Sequence, residues 1–169
     1  MEILKYTLPA LLVLIASIVA IYMLLKEERE RREFELKKKD RNITTPIRLR
    51  GCERLTLLLE RITPEHLLMN VDFSTLSIPQ LQRQLLQTVR LEFDHNLSQQ
   101  VYVSDETWAA IVLAKEETLR FINAAVSQLP PESNTLQYAQ LLITAYNTNG
   151  VTPTQRALEL LKEETRTML

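Results

Sequence analysis

The sequence predicts an all-α protein: an N-terminal transmembrane helix continuing into a charged helical stalk, then a small multi-helix bundle. Three observations predict this. The stretch YTLPALLVLIASIVAIYMLL, Tyr6 to Leu25, holds no charge across twenty positions. The run KEERERREFELKKKD, Lys26 to Asp40, sets acids and bases at helical spacing. Beyond residue 45, apolar side chains recur every three or four positions between Ser/Thr-containing starts. Two glycines and seven prolines are too few for the tight turns of an all-β chain. The expected divisions are 1–25 as anchor, 26–44 as stalk and hinge, and 45–169 as a helical domain.

A helix over Tyr6–Leu25 would be about 30 Å long, the thickness of a bilayer's hydrocarbon core. Pro9 falls in its first turn, where a missing N–H costs little. Tyr6 and Tyr22 stand near its ends, where amphipathic rings favour the membrane interface. Before the stretch there is one basic residue, Lys5; residues 26–41 after it hold eight Lys and Arg. This bias predicts a single-pass protein with its N-terminus outside and its C-terminal domain cytoplasmic. A cleavable signal peptide fits less well, because Glu2 sits in a short n-region and no A-x-A site precedes the charges.

In the stalk, Glu27–Arg31, Glu28–Arg32, Glu33–Lys37 and Glu35–Lys39 are i,i+4 pairs in the favourable order. Phe34 and Leu36 alone are apolar, too few for a coiled-coil seam. Lys37, Lys38, Lys39 and Arg41 form a cluster suited to anionic lipid head groups. Topology already accounts for the same charge bias. Asn42 to Thr45 reads as a hinge, with Thr45 capping a new helix and Pro46 at its first position.

The domain helices follow from local chemistry. Residues 46–62 place Ile47, Gly51, Leu55, Leu58, Leu59 and Ile62 on one face, with Gly51 marking close approach of a neighbour. Thr63-Pro64 starts a short turn through Leu68. Ser77 with Gln80 makes a capping box, and Leu76 with Leu81 a hydrophobic staple. Ile78, Leu81, Leu85, Val89 and Phe93 are the stripe of that helix. Asn96 to Val103 lacks a helical period and reads as an extended connector. Ser104 caps the next helix, with Asp105 and Glu106 complementing its dipole. Trp108, Ile111, Val112, Leu119, Ile122, Val126 and Leu129 carry its core face. A helix from about Glu132 to Thr148 offers Leu136, Ala139, Leu142, Ile143 and Tyr146, and Asn149-Gly150 stops it. Thr152-Pro153-Thr154-Gln155 opens the last helix, with Ala157, Leu158, Leu161 and Met168 turned inward.

No reaction chemistry is legible. His66 and His95 lack ligand spacing with Glu65, Asp72, Glu92 or Asp94. Glu116-Glu117 are adjacent and point about 100° apart on a helix. No nucleophile elbow, P-loop, dinucleotide glycine set or HExxH occurs. No catalytic, cofactor-binding or metal residue is therefore expected. Cys52, the single cysteine, excludes an internal disulfide and reads as a small core residue. From residue 45 onward there are 11 Lys+Arg against 14 Asp+Glu, a net of −3, which offers nucleic acid no general attraction. Lys115 falls in register with Ile111 and Leu119. It is either a buried amine or, the favoured reading, a stem lying on the core with its charge in water.

The chain resembles a bacterial family with one N-terminal membrane helix, a charged stalk and a helical cytoplasmic domain. The likeness rests on YTLPALLVLIAS, TPIRLRGCERLTLLLERI, FDHNLSQQVYVS and the KEET of Lys115 to Thr118. It implies a bacterial inner-membrane setting and brings no activity, cofactor or site residue. The amides Asn96, Gln99 and Gln100 are either a partner surface or an internally bonded connector. The leading expectation is a membrane-anchored, non-enzymatic interaction module, an accessory or scaffold subunit with protein partners. Homo-oligomerisation stays open. A lipid-sensing module working through the basic stalk comes second, and an enzyme with an unrecognised site third.

Overall fold

The computed structural model describes the backbone of residues 2–148 and 150–168, and side chains at 14, 17–36, 38, 39, 41–148 and 150–168. Among the described residues six α-helices follow in order: α1 Glu2–Arg61, α2 Pro64–Met69, α3 Ile78–Asn96, α4 Asp105–Ser127, α5 Thr135–Thr148 and α6 Pro153–Met168. Short 3-10 turns cover Phe73–Thr75 and Leu97–Tyr102. No strand occurs among the described residues. The chain divides into two compact units, Met1–Thr44 and Thr45–Leu169.

In the first unit, no helix of the described residues is long and apolar enough to cross a membrane. This overturns the transmembrane helix expected over Tyr6–Leu25, and with it the single-pass topology, the membrane tether and the inner-membrane placement. A spanning helix needs about 20 consecutive, predominantly apolar residues, and no helix among the described residues meets that requirement. The side chains of residues 6–13, 15 and 16 lie outside the described residues.

The stalk sequence is helical, and of its four expected pairs Glu28–Arg32 forms, while Glu33–Lys37 involves a side chain outside the described residues and other i,i+4 partners replace the rest. Arg32 pairs with Glu28 at 3.2 Å, Arg31 with Glu35 at 3.4 Å and Lys26 with Glu30 at 3.9 Å. Arg31 thus turns to Glu35 in place of Glu27, since both are one turn away. Lys38, Lys39 and Arg41 are exposed, while the side chain of Lys37 lies outside the described residues. Thr45 does not open a new helix: α1 runs through Pro46 with one backbone donor missing.

The second unit is built around one apolar cluster. From α1 it takes Cys52, Leu55, Leu58, Leu59 and Ile62; from α3 it takes Leu81, Leu85, Val89 and Phe93. The helix α4, packed on α3, α5 and α6, supplies Ile111, Ala114, Leu119, Ile122 and Ala125. Tyr138, Ala139 and Leu142 of α5 and Ala157, Leu161 and Met168 of α6 close it. Three apolar residues expected inside are outside: Ile47, Leu136 and Ile143 are exposed. Each lies toward the end or rim of its stripe, where the neighbouring helix no longer covers it. Trp108 is half-buried and stacks on Phe93 at 5.5 Å between ring centroids.

Caps set the helix starts. The Gln80 carboxamide oxygen accepts the Ser77 N–H at 2.9 Å, and the Gln155 oxygen accepts the Thr152 N–H at 3.0 Å. Helix α5 starts three residues later than expected, because Asn134 and Gln137 form a reciprocal box with both bonds at 2.9 Å. Gly150, at φ +80°, provides the left-handed turn after α5; Asn149 lies outside the described residues.

The expected extended connector is a correction: Leu97–Tyr102 is a 3-10 turn continuing directly from α3. Its inward positions, Gln99 and Tyr102, are three residues apart, a 3-10 period and not the 3.6 of an α-helix. This turn explains Gly51. A Cβ there would lie 2.8 Å from Tyr102 Cδ2 and 3.0 Å from Tyr102 Cβ, so only glycine admits the ring against α1. The Arg48 Nε–H donates to the Tyr102 carbonyl at 3.2 Å. One carboxylate from α6 completes the junction. Glu164 accepts the Ser104 N–H and hydroxyl, each at 2.8 Å, and lies 3.5 Å from Arg48 Nη2.

Tyr138 is fully buried and donates its hydroxyl to the Ile122 carbonyl at 2.9 Å. Burial pushes its ionisation from 10.0 up to about 12. The folded state therefore holds the proton that the unfolded chain loses first. The stabilisation is complete below pH 10 and is lost as pH rises from about 10 through about 12. Urea denaturation of Tyr138→Phe should show a loss of about 0.5–1.5 kcal/mol at neutral pH and a shallower alkaline decline than the parent.

Candidate functional site

The amide segment divides by orientation. The Asn96 Nδ2–H donates back to the Glu92 carbonyl at 2.8 Å, bonding within its own helix. Gln99 is buried and donates to Ser98 Oγ at 3.1 Å. Gln100 faces solvent. The segment thus presents one of its three amides outward, and the two others stiffen the passage from α3 to the 3-10 turn.

Lys115 departs from both readings: its charge is held by a carboxylate and a ring rather than released into open water. Its side chain keeps 17% of its exposure, its ammonium lies 2.6 Å from Glu116 Oε1 and 4.5 Å from the centroid of the Phe93 ring. The bond and charge of Lys115 hold the Glu116 carboxyl below its usual range. The two histidines stand apart in role. His66 Nδ1 is 3.3 Å from Thr63 Oγ1 at the start of α2, and His95 lines a groove beside α1. Among the described residues no three His, Cys, Asp or Glu side chains converge as metal ligands.

The groove is the feature that sequence reading missed. It encloses about 520 Å³ between the last turns of α1 and the second half of α3. Arg54, Leu57, Leu58 and Arg61 form one wall; Thr88, Leu91, Glu92, His95 and Asn96 form the other. Leu58 is buried, and Leu57 and Leu91 are each 52% exposed. Arg61 Nη1 reaches Glu92 Oε2 across the groove at 3.5 Å. The Thr88 hydroxyl donates to the Gln84 carbonyl at 2.9 Å. The available chemistry is guanidinium donors beside leucine side chains, which suits a carboxylate next to an apolar group. A signal was present in the spacing of Arg54, Leu57 and Arg61, three and four residues apart on the flank of α1 beside the core stripe.

A second cavity of about 360 Å³ lies among Glu60, His66, Asn147 and Gln155. Beside it Tyr146 Oη, Thr154 Oγ1 and Thr152 Oγ1 form a buried hydroxyl chain with steps of 3.1 and 3.2 Å. Those hydroxyls satisfy one another and tie the end of α5 to the start of α6. No buried side-chain nitrogen or oxygen among the described residues lacks a partner.

Fold and groove together define an all-helical domain with an arginine- and leucine-lined surface groove. The chain belongs to the family of unknown function (DUF7935), which it matches over residues 1–168. That membership agrees with the resemblance to a family without an assigned activity and carries no statement about membrane topology or source. No curated protein and no solved structure gives a significant match.

Gln99 and Gln100 offer a contrast between neighbours. Gln99→Ala should destabilise the chain by about 1–3 kcal/mol through lost packing and bonding, and Gln100→Ala should stay within about 0.5 kcal/mol of the parent. Chemical denaturation of the two variants reads this directly.

Proposed function

We propose that the domain 45–169 is a non-enzymatic protein-docking module, an accessory or scaffold subunit that presents its helical bundle to a protein partner. The observation that carries this reading is the pair Leu57 and Leu91, each 52% exposed and lining the same groove. A single exposed leucine needs no explanation. Two on facing walls of one groove, with Arg54 and Arg61 beside them, have the composition of an interface centre: apolar anchors with arginine at the edge.

The test is cross-linking of the full chain in its native cells, followed by mass spectrometry. The double variant Leu57→Ser/Leu91→Ser should keep the parent's thermal midpoint, since neither side chain belongs to the core. Recovery of the cross-linked protein partner should fall by roughly tenfold or more, the scale of losing interface anchors. A double variant that retains every partner contradicts the reading.

A further inference from the structure

The groove's charge pattern specifies what it takes. We propose that its occupant is an acidic amphipathic helix of a protein partner, with two carboxylates seven residues apart bracketing an apolar side chain. This rests on the docking reading above and adds the chemistry of the partner.

Arg54 and Arg61 are seven positions apart on α1. Seven residues turn a helix through almost two full turns, so both guanidinium stems rise from nearly one line, about 10.5 Å apart along the axis. Leu57 projects between them, exposed, and Leu91 faces it from α3. The order along the groove is cation, leucine, cation. A partner helix that matches this order places acids at i and i+7 and an apolar residue at i+3 or i+4.

The two cations are available. Arg54 is exposed and has no ion pair among the described residues. Arg61 meets Glu92 at 3.5 Å, with 57% and 27% of their side chains exposed. A solvated pair of that length contributes little and exchanges readily. An incoming carboxylate can engage either guanidinium through two parallel N–H donors. Phosphate would satisfy the arginines too, but the groove walls carry no Phe, Tyr or Trp, and the one ring there, the His95 imidazole, falls short of the successive stacking platforms of single-strand binding.

The probe is a displayed library of 14-residue helix-forming peptides, selected on the immobilised full chain. Enriched peptides should carry Asp or Glu at i and i+7 around Leu, Ile, Met or Phe. On Arg54→Glu/Arg61→Glu the same library should instead yield Lys or Arg at those positions. The most enriched acidic peptide should lose at least tenfold in affinity on that variant, by fluorescence anisotropy, and should weaken as salt is raised. Both arginines are exposed, so circular dichroism of the variant should match the parent; should it not, Arg54→Gln/Arg61→Gln replaces it, with the same loss expected. Enrichment without acids, selection unchanged by the variants, or no enrichment overturns the proposal. Apolar peptides that depend on Leu57 and Leu91 but ignore both arginines overturn the acidic partner and leave the docking module standing. Peptides indifferent to the leucines overturn both.

Discussion

The last turns of α1 can bury only one face, and the rest of the domain depends on which one. Leu55, Leu58, Leu59 and Ile62 retain at most 1% of their exposure. Each such burial stabilises by about 1.5–3 kcal/mol, so rotating this helix by one position would forfeit most of the core. The helical period then leaves Arg54, Leu57 and Arg61 outside. The groove's position on α1 is therefore a consequence of the core.

A second restraint acts one turn earlier. Tyr102 sits against the backbone at Gly51, where a side chain would collide with its ring. The same short turn ends at Ser104, whose N–H and hydroxyl are both held by Glu164 of α6. A carboxylate at the start of α4 complements the helix dipole while joining the first and last helices of the domain through Arg48. These contacts set where α3 ends relative to α1, and hence the spacing of the groove walls.

Much of the helical order is legible in the sequence because capping is local chemistry. The Ser77–Gln80 and Thr152–Gln155 boxes each need four consecutive residues and nothing else. The stripe Leu81, Leu85, Val89, Phe93 is legible for the same reason, since burial follows the helix period. The start of α5 was displaced because Pro130-Pro131 signals a break without saying where the next helix begins; Asn134 decides that. Ile47, Leu136 and Ile143 look like core residues in one dimension and are not, because coverage depends on neighbours that the pattern does not name. The apolar run at the N-terminus led to a membrane helix that the described residues do not provide. The groove was legible only as one wall, in the spacing of Arg54, Leu57 and Arg61, because it exists only when α1 and α3 lie side by side.

Leu57 and Leu58 give the sharpest measurement, being identical side chains one position apart. Leu58 is fully buried and Leu57 is 52% exposed at the groove. Urea denaturation should show Leu58→Ala destabilised by about 2–5 kcal/mol and Leu57→Ala within about 0.5 kcal/mol of the parent. Equal losses at the two positions, or the larger loss at Leu57, would contradict the register of α1 and remove the groove that the functional reading rests on.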